Sequence, residues 1–308
     1  MAKMATREAY GKALAELILQ DEKVVVLDAD LSKSTKTFDA KAVCPERHFN
    51  VGIAEGNMMG IAAGLATCGN TVFASSFAMF AAGRAYEQVR NSIGYTHLNV
   101  KICATHAGIT LGEDGASHQA IEDIALMRSI PGMTVIQPCD DLETFQVIQT
   151  IAKTQTPVYV RLGRNAVETV NAPEYQFQIG KGTVLRLGKD ITLVATGIMV
   201  QEALKAADTL KEKGIELNVI NISTLKPLDE ALILDYAKKS KVMITCEEHS
   251  KFGGLGSAVA ETLAKNHPLK MDMVAINDTF GESGTPTALV EKYGLSAASI
   301  VSTVEKYL

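Results

Sequence analysis

Glu55 is the residue whose setting most plainly asks for chemistry. It stands alone in FNVGIAEGNMMGIAAGLATCG, Phe49 to Gly69, a segment otherwise apolar and rich in small residues. FNVGIA reads as a short buried strand, and Met58 to Ala66 as a helix whose glycines and alanines let another backbone come close. A carboxylate at such a junction sheds much of its hydration, which is costly unless a partner meets the charge or its pKa rises. Other reactive residue types gather after apolar runs in the same way. Asp28, Asp30, Ser32 and Ser34 follow KVVVLDADL, and Phe77 and Phe80 come at and after the end of TVFASSF. His106, Asp114 and His118 lie in THAGITLGEDGASHQ, and Arg161 and Arg164 flank the end of PVYVRLGR. A carboxylate, aromatics, histidines and arginines together suit an anionic, hydroxylated ligand.

Each of these residues also has an ordinary reading. A lone Glu at a helix start favours the dipole, and Phe residues three apart are usually core. The histidines could be satisfied or exposed, and Arg161 and Arg164 could decorate a strand edge. GGLGS at 253–257 resembles a phosphate-cradling turn but is weak evidence alone. The ordinary explanation would have to hold for every member of the set at once.

The elements that must position them alternate strand and helix. KVVVLDADL, TVFASSF, VKICATHAG, MTVIQPCD and PVYVRLG are near-continuous apolar runs separated by helix-length segments. That pattern indicates an α/β fold with a mostly parallel sheet covered on both faces. Ligands of such sheets bind beyond the C-terminal ends of the strands, which is where the reactive residues fall. NAPEYQFQIGKGTVLRLGKD breaks the rhythm, and a second strand–helix series starts at DITLVATG. The expected organisation is two consecutive α/β domains: residues 1–172, a linker over 173–188, and a smaller domain over 189–308.

Composition narrows the function further. The chain has 308 residues, 47% hydrophobic and 21% charged, as in ordinary globular proteins. A net charge of -5 without a Lys/Arg cluster argues against nucleic-acid and anionic-membrane partners. MAKMATREAYGKALAELI reads as an amphipathic helix rather than a signal peptide, and no apolar run is long enough to span a membrane. Five dispersed cysteines without CxxC pairs suit a reducing cytoplasm and argue against zinc. No GxGxxG follows the first strand, which sets a nicotinamide-dependent oxidoreductase aside.

VGIAEGNMMGIAAGLA, SSFAMFAAGRAYEQVR and THAGITLGEDGASHQAIEDIALMRSIPGMTVIQPCD resemble the pyrimidine-binding domain of transketolase, and the remainder resembles the transketolase C-terminal domain. The likeness covers essentially the whole chain. It implies thiamine diphosphate as cofactor, with Glu55 hydrogen-bonding N1′ of the aminopyrimidine and Phe77 and Phe80 lining the pyrimidine pocket. Asp30 matches an interface acid beside the cofactor. His118 matches the histidine at the reacting carbonyl, and Asp114 the group that reads the donor's hydroxyl configuration. Arg7, Ser34, His106 and Arg164 match the phosphate end of the sugar channel. A third aromatic is expected at Ala74 and is absent, with Phe73 one residue out of step. Gly56 replaces the His or Gln that many relatives carry after the glutamate.

The family's GDG motif and its following Asn, which hold the diphosphate and its metal, do not occur here. The resemblance therefore implies the C-terminal subunit of a split transketolase, a transferase of carbohydrate metabolism of the pentose phosphate pathway. It would act on sugar phosphates in the cytoplasm, in an α2β2 heterotetramer with an N-terminal subunit that holds Mg2+ or Ca2+. No metal ligand is expected in this chain. Three alternatives stay open: half of a 1-deoxyxylulose-5-phosphate synthase-like enzyme, the β subunit of a 2-oxo-acid dehydrogenase E1, and a non-catalytic binding protein on a relic fold. No chemistry is assigned to His249 or to the GGLGS turn.

Overall fold

Seven strands pair side by side in the larger sheet of the computed structural model, which describes residues 3–308. Their spatial order is Thr224–Lys226, Thr134–Ile136, Val158–Arg161, Val100–Ala104, Thr71–Ser75, Val24–Asp28 and His48–Asn50. All neighbours run parallel except Thr224–Lys226, which pairs antiparallel with Thr134–Ile136. The central strands are buried at every position because helices cover both faces, so their sequences do not alternate. A second sheet has the order Met271–Ile276, Ser240–Ser250, Asp190–Ala195, Asn218–Asn221 and Thr183–Arg186, the last antiparallel. The expected α/β class with two sheets of this kind is what the chain forms.

Several expectations differ in detail. FNVGIA is not a buried strand: pairing covers His48–Asn50 alone, at the sheet's open edge, with Phe49 47% and Ile53 76% exposed. Among the described residues no strand lies outside that edge, so Phe49 and Ile53 stay exposed while Val51 packs against the core. The segment read as a linker, 173–188, contributes the strand Thr183–Arg186 to the second sheet. Thr224–Lys226, well inside the second half of the sequence, completes the first sheet.

The N-terminus is fastened to the same assembly. Lys3–Ala5 pairs antiparallel with Ala166–Glu168, and the Gly163 N–H donates to Thr6 Oγ1 at 2.8 Å. This hook places the helix Thr6–Gln20, and Arg7 in its first turn, beside the end of Val158–Arg161.

Two features flagged in the sequence are structural. Arg161 is fully buried, its Nε donating to both oxygens of Asp123 at 2.8 and 3.1 Å. The GGLGS turn opens the helix Leu255–Asn266, but its anion is the protein's own. Glu247 Oε2 accepts the Leu255 N–H at 2.7 Å, and Oε1 accepts that of Gly256 at 2.8 Å. A carboxylate thus fills the place a phosphate would take. His249 is buried beside it, its Nδ1 2.8 Å from the Ser250 carbonyl.

Candidate active site

The C-terminal ends of five parallel strands bring the reactive residues to one edge of the larger sheet. Glu55 begins the helix Glu55–Thr67, just past His48–Asn50, and is 2% exposed. Its Oε2 accepts a hydrogen bond from Arg84 Nη1 at 2.9 Å. Arg84 ends a π-helical segment, Met79–Arg84, that also carries Phe80. The guanidinium lies over the Phe80 ring, 4.5 Å from its centroid. One arginine therefore engages both the carboxylate and an aromatic face.

Phe77 and Phe80 stack with ring centroids 6.0 Å apart and planes 14° from parallel. His118 meets the Phe80 edge at 5.2 Å, and His106 stacks on Phe77 at 3.9 Å. The aromatic pair thus bridges the two histidines. A cleft of about 380 Å³ is lined by Asp30, Glu55, Phe80, Arg84 and His118. Asp30 adopts φ +64°, its N–H donating to Asn50 Oδ1 at 3.1 Å, which turns the chain out at the strand end. Asp28 before it is fully buried and accepts from Thr35 and Thr37 hydroxyls at 2.9 and 3.1 Å. Burial pushes its carboxyl pKa up.

The other end of the site is cationic. Arg7 Nη1 donates to the Ser34 carbonyl at 2.8 Å and to His106 Nε2 at 3.4 Å, and its Nε to the Arg164 carbonyl at 3.3 Å. Arg164 Nη1 reaches the Leu111 carbonyl at 2.5 Å and Glu113 at 3.5 Å. His106 is 4% exposed; burial, then Arg7 and Arg164, lower its pKa to about 3. It is neutral, and because Nε2 accepts from Arg7, Nδ1 carries the proton toward Thr105 Oγ1 at 2.8 Å.

Ser34 joins this end through its carbonyl, not its hydroxyl. Asp114 stays exposed on the loop and makes no hydrogen bond or ion pair with the other candidates among the described residues. Phe73 is fully buried in the sheet and cannot replace the aromatic missing at Ala74. Beside Gly56, an added Cβ would lie 3.2 Å from Gln88 Oε1. The sequence reading missed Arg84, although its place four residues after Phe80 on one helical face was a usable signal. It also missed Glu248, whose Oε1 accepts the Thr110 N–H, and Gln119, whose Nε2 donates to the Glu282 carbonyl; both contacts are distant in sequence.

The buried carboxylate beside parallel aromatic rings fits an aminopyrimidine, which needs both a hydrogen-bond partner at a ring nitrogen and flat apolar contact. Among the described residues, no group of three or more His, Cys, Asp or Glu is placed to hold a metal, and no helix is long and apolar enough to cross a membrane. Comparison with known proteins agrees with the fold. Residues 2–169 match the transketolase pyrimidine-binding domain, and residues 180–300 the transketolase C-terminal domain. A chain of Methanocaldococcus jannaschii assigned as a transketolase C-terminal section is 53% identical, over 97% of this chain and 94% of its own length. A 6-deoxy-6-sulfo-D-fructose transketolase subunit of Clostridium sp. (strain MSTE9) is 42% identical, over 96% and 92%. A solved structure described as a split gene transketolase, inactive β4 tetramer, superposes with a TM-score of 0.91 at 53% identity, covering 99% of this chain and 98% of that one. On both domains and along nearly its whole length, the chain belongs to the transketolase family.

Proposed function

We propose that this chain is the C-terminal subunit of a two-chain transketolase, moving a two-carbon ketol unit from a ketose phosphate to an aldose phosphate. The observation that carries the reading is Glu55: a carboxylate buried at a helix start, facing a cleft floored by Phe80 and flanked by His118. Bound thiamine diphosphate supplies the electron sink that the carbon–carbon cleavage needs. Glu55 holds a proton at the pyrimidine N1′, and the dry surroundings strengthen that hydrogen bond. Phe77 and Phe80 orient the ring, with Asp30 at the mouth of the cleft. His118 donates toward charge developing on the donor carbonyl oxygen. Asp114 reads the donor hydroxyls, while Arg7, Arg164, His106 and the Ser34 turn receive the phosphate.

A sulfonate suits the same cationic end, in keeping with the name of the Clostridium relative. The diphosphate and its Mg2+ or Ca2+ are assigned to an N-terminal partner subunit in an α2β2 cytoplasmic enzyme. The name "split gene" carried by the similar structure supports that division. So does the outer face of Glu55–Thr67, where a Cβ added at Gly60 or Gly64 would touch nothing and Phe49 and Ile53 lie exposed nearby in sequence. We assign residues 1–172 and 189–308 to the two domains, the second also taking the strand Thr183–Arg186 from the segment between them.

Isothermal titration with thiamine diphosphate and magnesium, with and without an N-terminal-type subunit, tests the proposal. Metal-dependent binding and ketol transfer are expected only with both chains present. Micromolar metal-dependent binding and turnover by this chain alone would refute the division of labour. Failure of the reconstituted pair to transfer ketol units would refute the activity.

A further inference from the structure

The loop from His106 to Gln119 carries three of the proposed site residues, His106, Asp114 and His118, yet much of what holds it comes from the second half of the chain. At its root, Glu248 Oε1 accepts the Thr110 N–H at 2.7 Å, and Glu248 is 2% exposed. Gly108, at φ +79°, lies against that carboxylate: a Cβ there would come within 2.2–2.5 Å of its carbon and oxygens. Only glycine combines this backbone conformation with so close an approach. At the far end, Gln119 Nε2 donates to the Ile109 carbonyl at 3.1 Å and across to the Glu282 carbonyl at 3.0 Å. Arg161 Nη2 ties the Ala120 and Glu248 carbonyls together at 3.0 and 3.1 Å, fixing the carboxylate's own backbone.

We infer that Glu248 is a positioning residue that clamps the loop 106–119 and thereby sets where His106 and His118 meet the donor. The buried carboxylate takes one amide of the loop and leaves no room for the loop to shift at Gly108. His106 then keeps its stacking on Phe77, and His118 its edge contact with Phe80, before substrate arrives, which is how binding geometry is prepared without cost at the moment of reaction. A domain to which the sequence assigned no chemistry thus governs the substrate end of the site. The kinetic part of this inference rests on the transketolase reading; the clamp itself does not.

The test combines amide hydrogen exchange on the full chain with kinetics of the reconstituted two-chain enzyme. In Glu248→Ala, exchange across residues 106–119 should quicken by about tenfold or more, while the helix Asp141–Ile151 keeps its protection. Donor KM should rise and kcat fall, by up to about a hundredfold in kcat/KM, with cofactor affinity within about threefold. Glu248→Gln keeps an acceptor for the Thr110 N–H and should recover most of both effects. Gly108→Ala, which crowds the same contact from the loop side, should reproduce them. Unchanged loop exchange, equal loosening of the remote helix, or an unaltered donor KM despite a loosened loop each overturns the inference. If the wild-type pair transfers no ketol unit, the functional reading fails, and the exchange measurement still decides the clamp.

Discussion

Arg84 occupies two faces of the site at once: its Nη1 lies 2.9 Å from Glu55 Oε2, and its guanidinium carbon 4.5 Å from the Phe80 ring centroid. A pyrimidine that bonds Glu55 and lies on Phe80 must take both positions. Arg84 should therefore act as a displaceable counter-ion. Its side chain is 53% exposed, so the pair contributes no more than about 1 kcal/mol after solvent screening. Arg84→Gln should shift the melting temperature little and leave cofactor affinity of the reconstituted enzyme unchanged or tighter. A tenfold weaker Kd would mean that Arg84 holds the ligand instead.

Glu55→Gln keeps the shape of the side chain and removes its charge. Ketol transfer should drop by roughly 10²–10⁴-fold, the usual span for a proton-sharing group. Circular dichroism should show the fold intact. Activity within about threefold of wild type would sink the assignment of Glu55.

Arg164→Ala separates the two ends of the channel. The KM for phosphorylated donors should rise about ten- to a hundredfold, corresponding to a charged hydrogen bond of roughly 1.5–3 kcal/mol. Hydroxypyruvate, which lacks the anionic terminus of a sugar phosphate, should be little affected, and a sulfonated ketose should suffer as the phosphate does. Equal losses for all donors would make Arg164 structural, a bridge between the Leu111 carbonyl and the chain after Val158–Arg161.

His106 gives a pH dependence whose sign follows from its burial. Folding lowers its pKa from 6.5 to about 3. Between those values the unfolded chain binds a proton that the folded chain refuses, so this contribution favours the folded state fully above pH 6.5 and declines as pH falls toward 3. The slope from this one group is at most about 1.4 kcal/mol per pH unit. Urea titrations at pH 7, 6 and 5 should show wild type losing stability faster than His106→Asn. Parallel curves would mean that folding leaves the proton affinity of His106 unchanged.

Glu247 supplies a stability test away from the site. Its carboxylate satisfies two buried N–H groups at the start of Leu255–Asn266. Glu247→Ala leaves both without a partner and should cost roughly 3 kcal/mol, with Glu247→Gln milder. Calorimetry on the full chain reads this directly. A loss below about 0.5 kcal/mol would show that water replaces the carboxylate.

The parallel sheet was legible because strands buried on both faces become continuous apolar runs, and Val24–Asp28 and Val100–Ala104 match theirs. The placement of Glu55, Phe77, Phe80, His106, His118 and Arg164 at one edge was legible too, since strand ends in such a sheet face one way. What sequence spacing could not reveal are partners brought from afar. Thr110 and Glu248 are 138 residues apart, and nothing local to either foretells their contact. FNVGIA was overread for the opposite reason: its apolar residues suit burial, yet among the described residues nothing covers Phe49 and Ile53. GGLGS misled because a Gly-rich turn exposes the same N–H groups whether phosphate or Glu247 receives them.

The strand Thr224–Lys226 makes the two halves of this polypeptide inseparable in a practical sense. Because it borders Thr134–Ile136, a fragment ending near residue 180 would expose a raw backbone edge, ready to pair with another copy and precipitate. A cut between the sheets strips the first of its border strand. Expression of residues 3–180 by itself should give insoluble material, and co-expression with 181–308 should restore solubility by returning the missing strand.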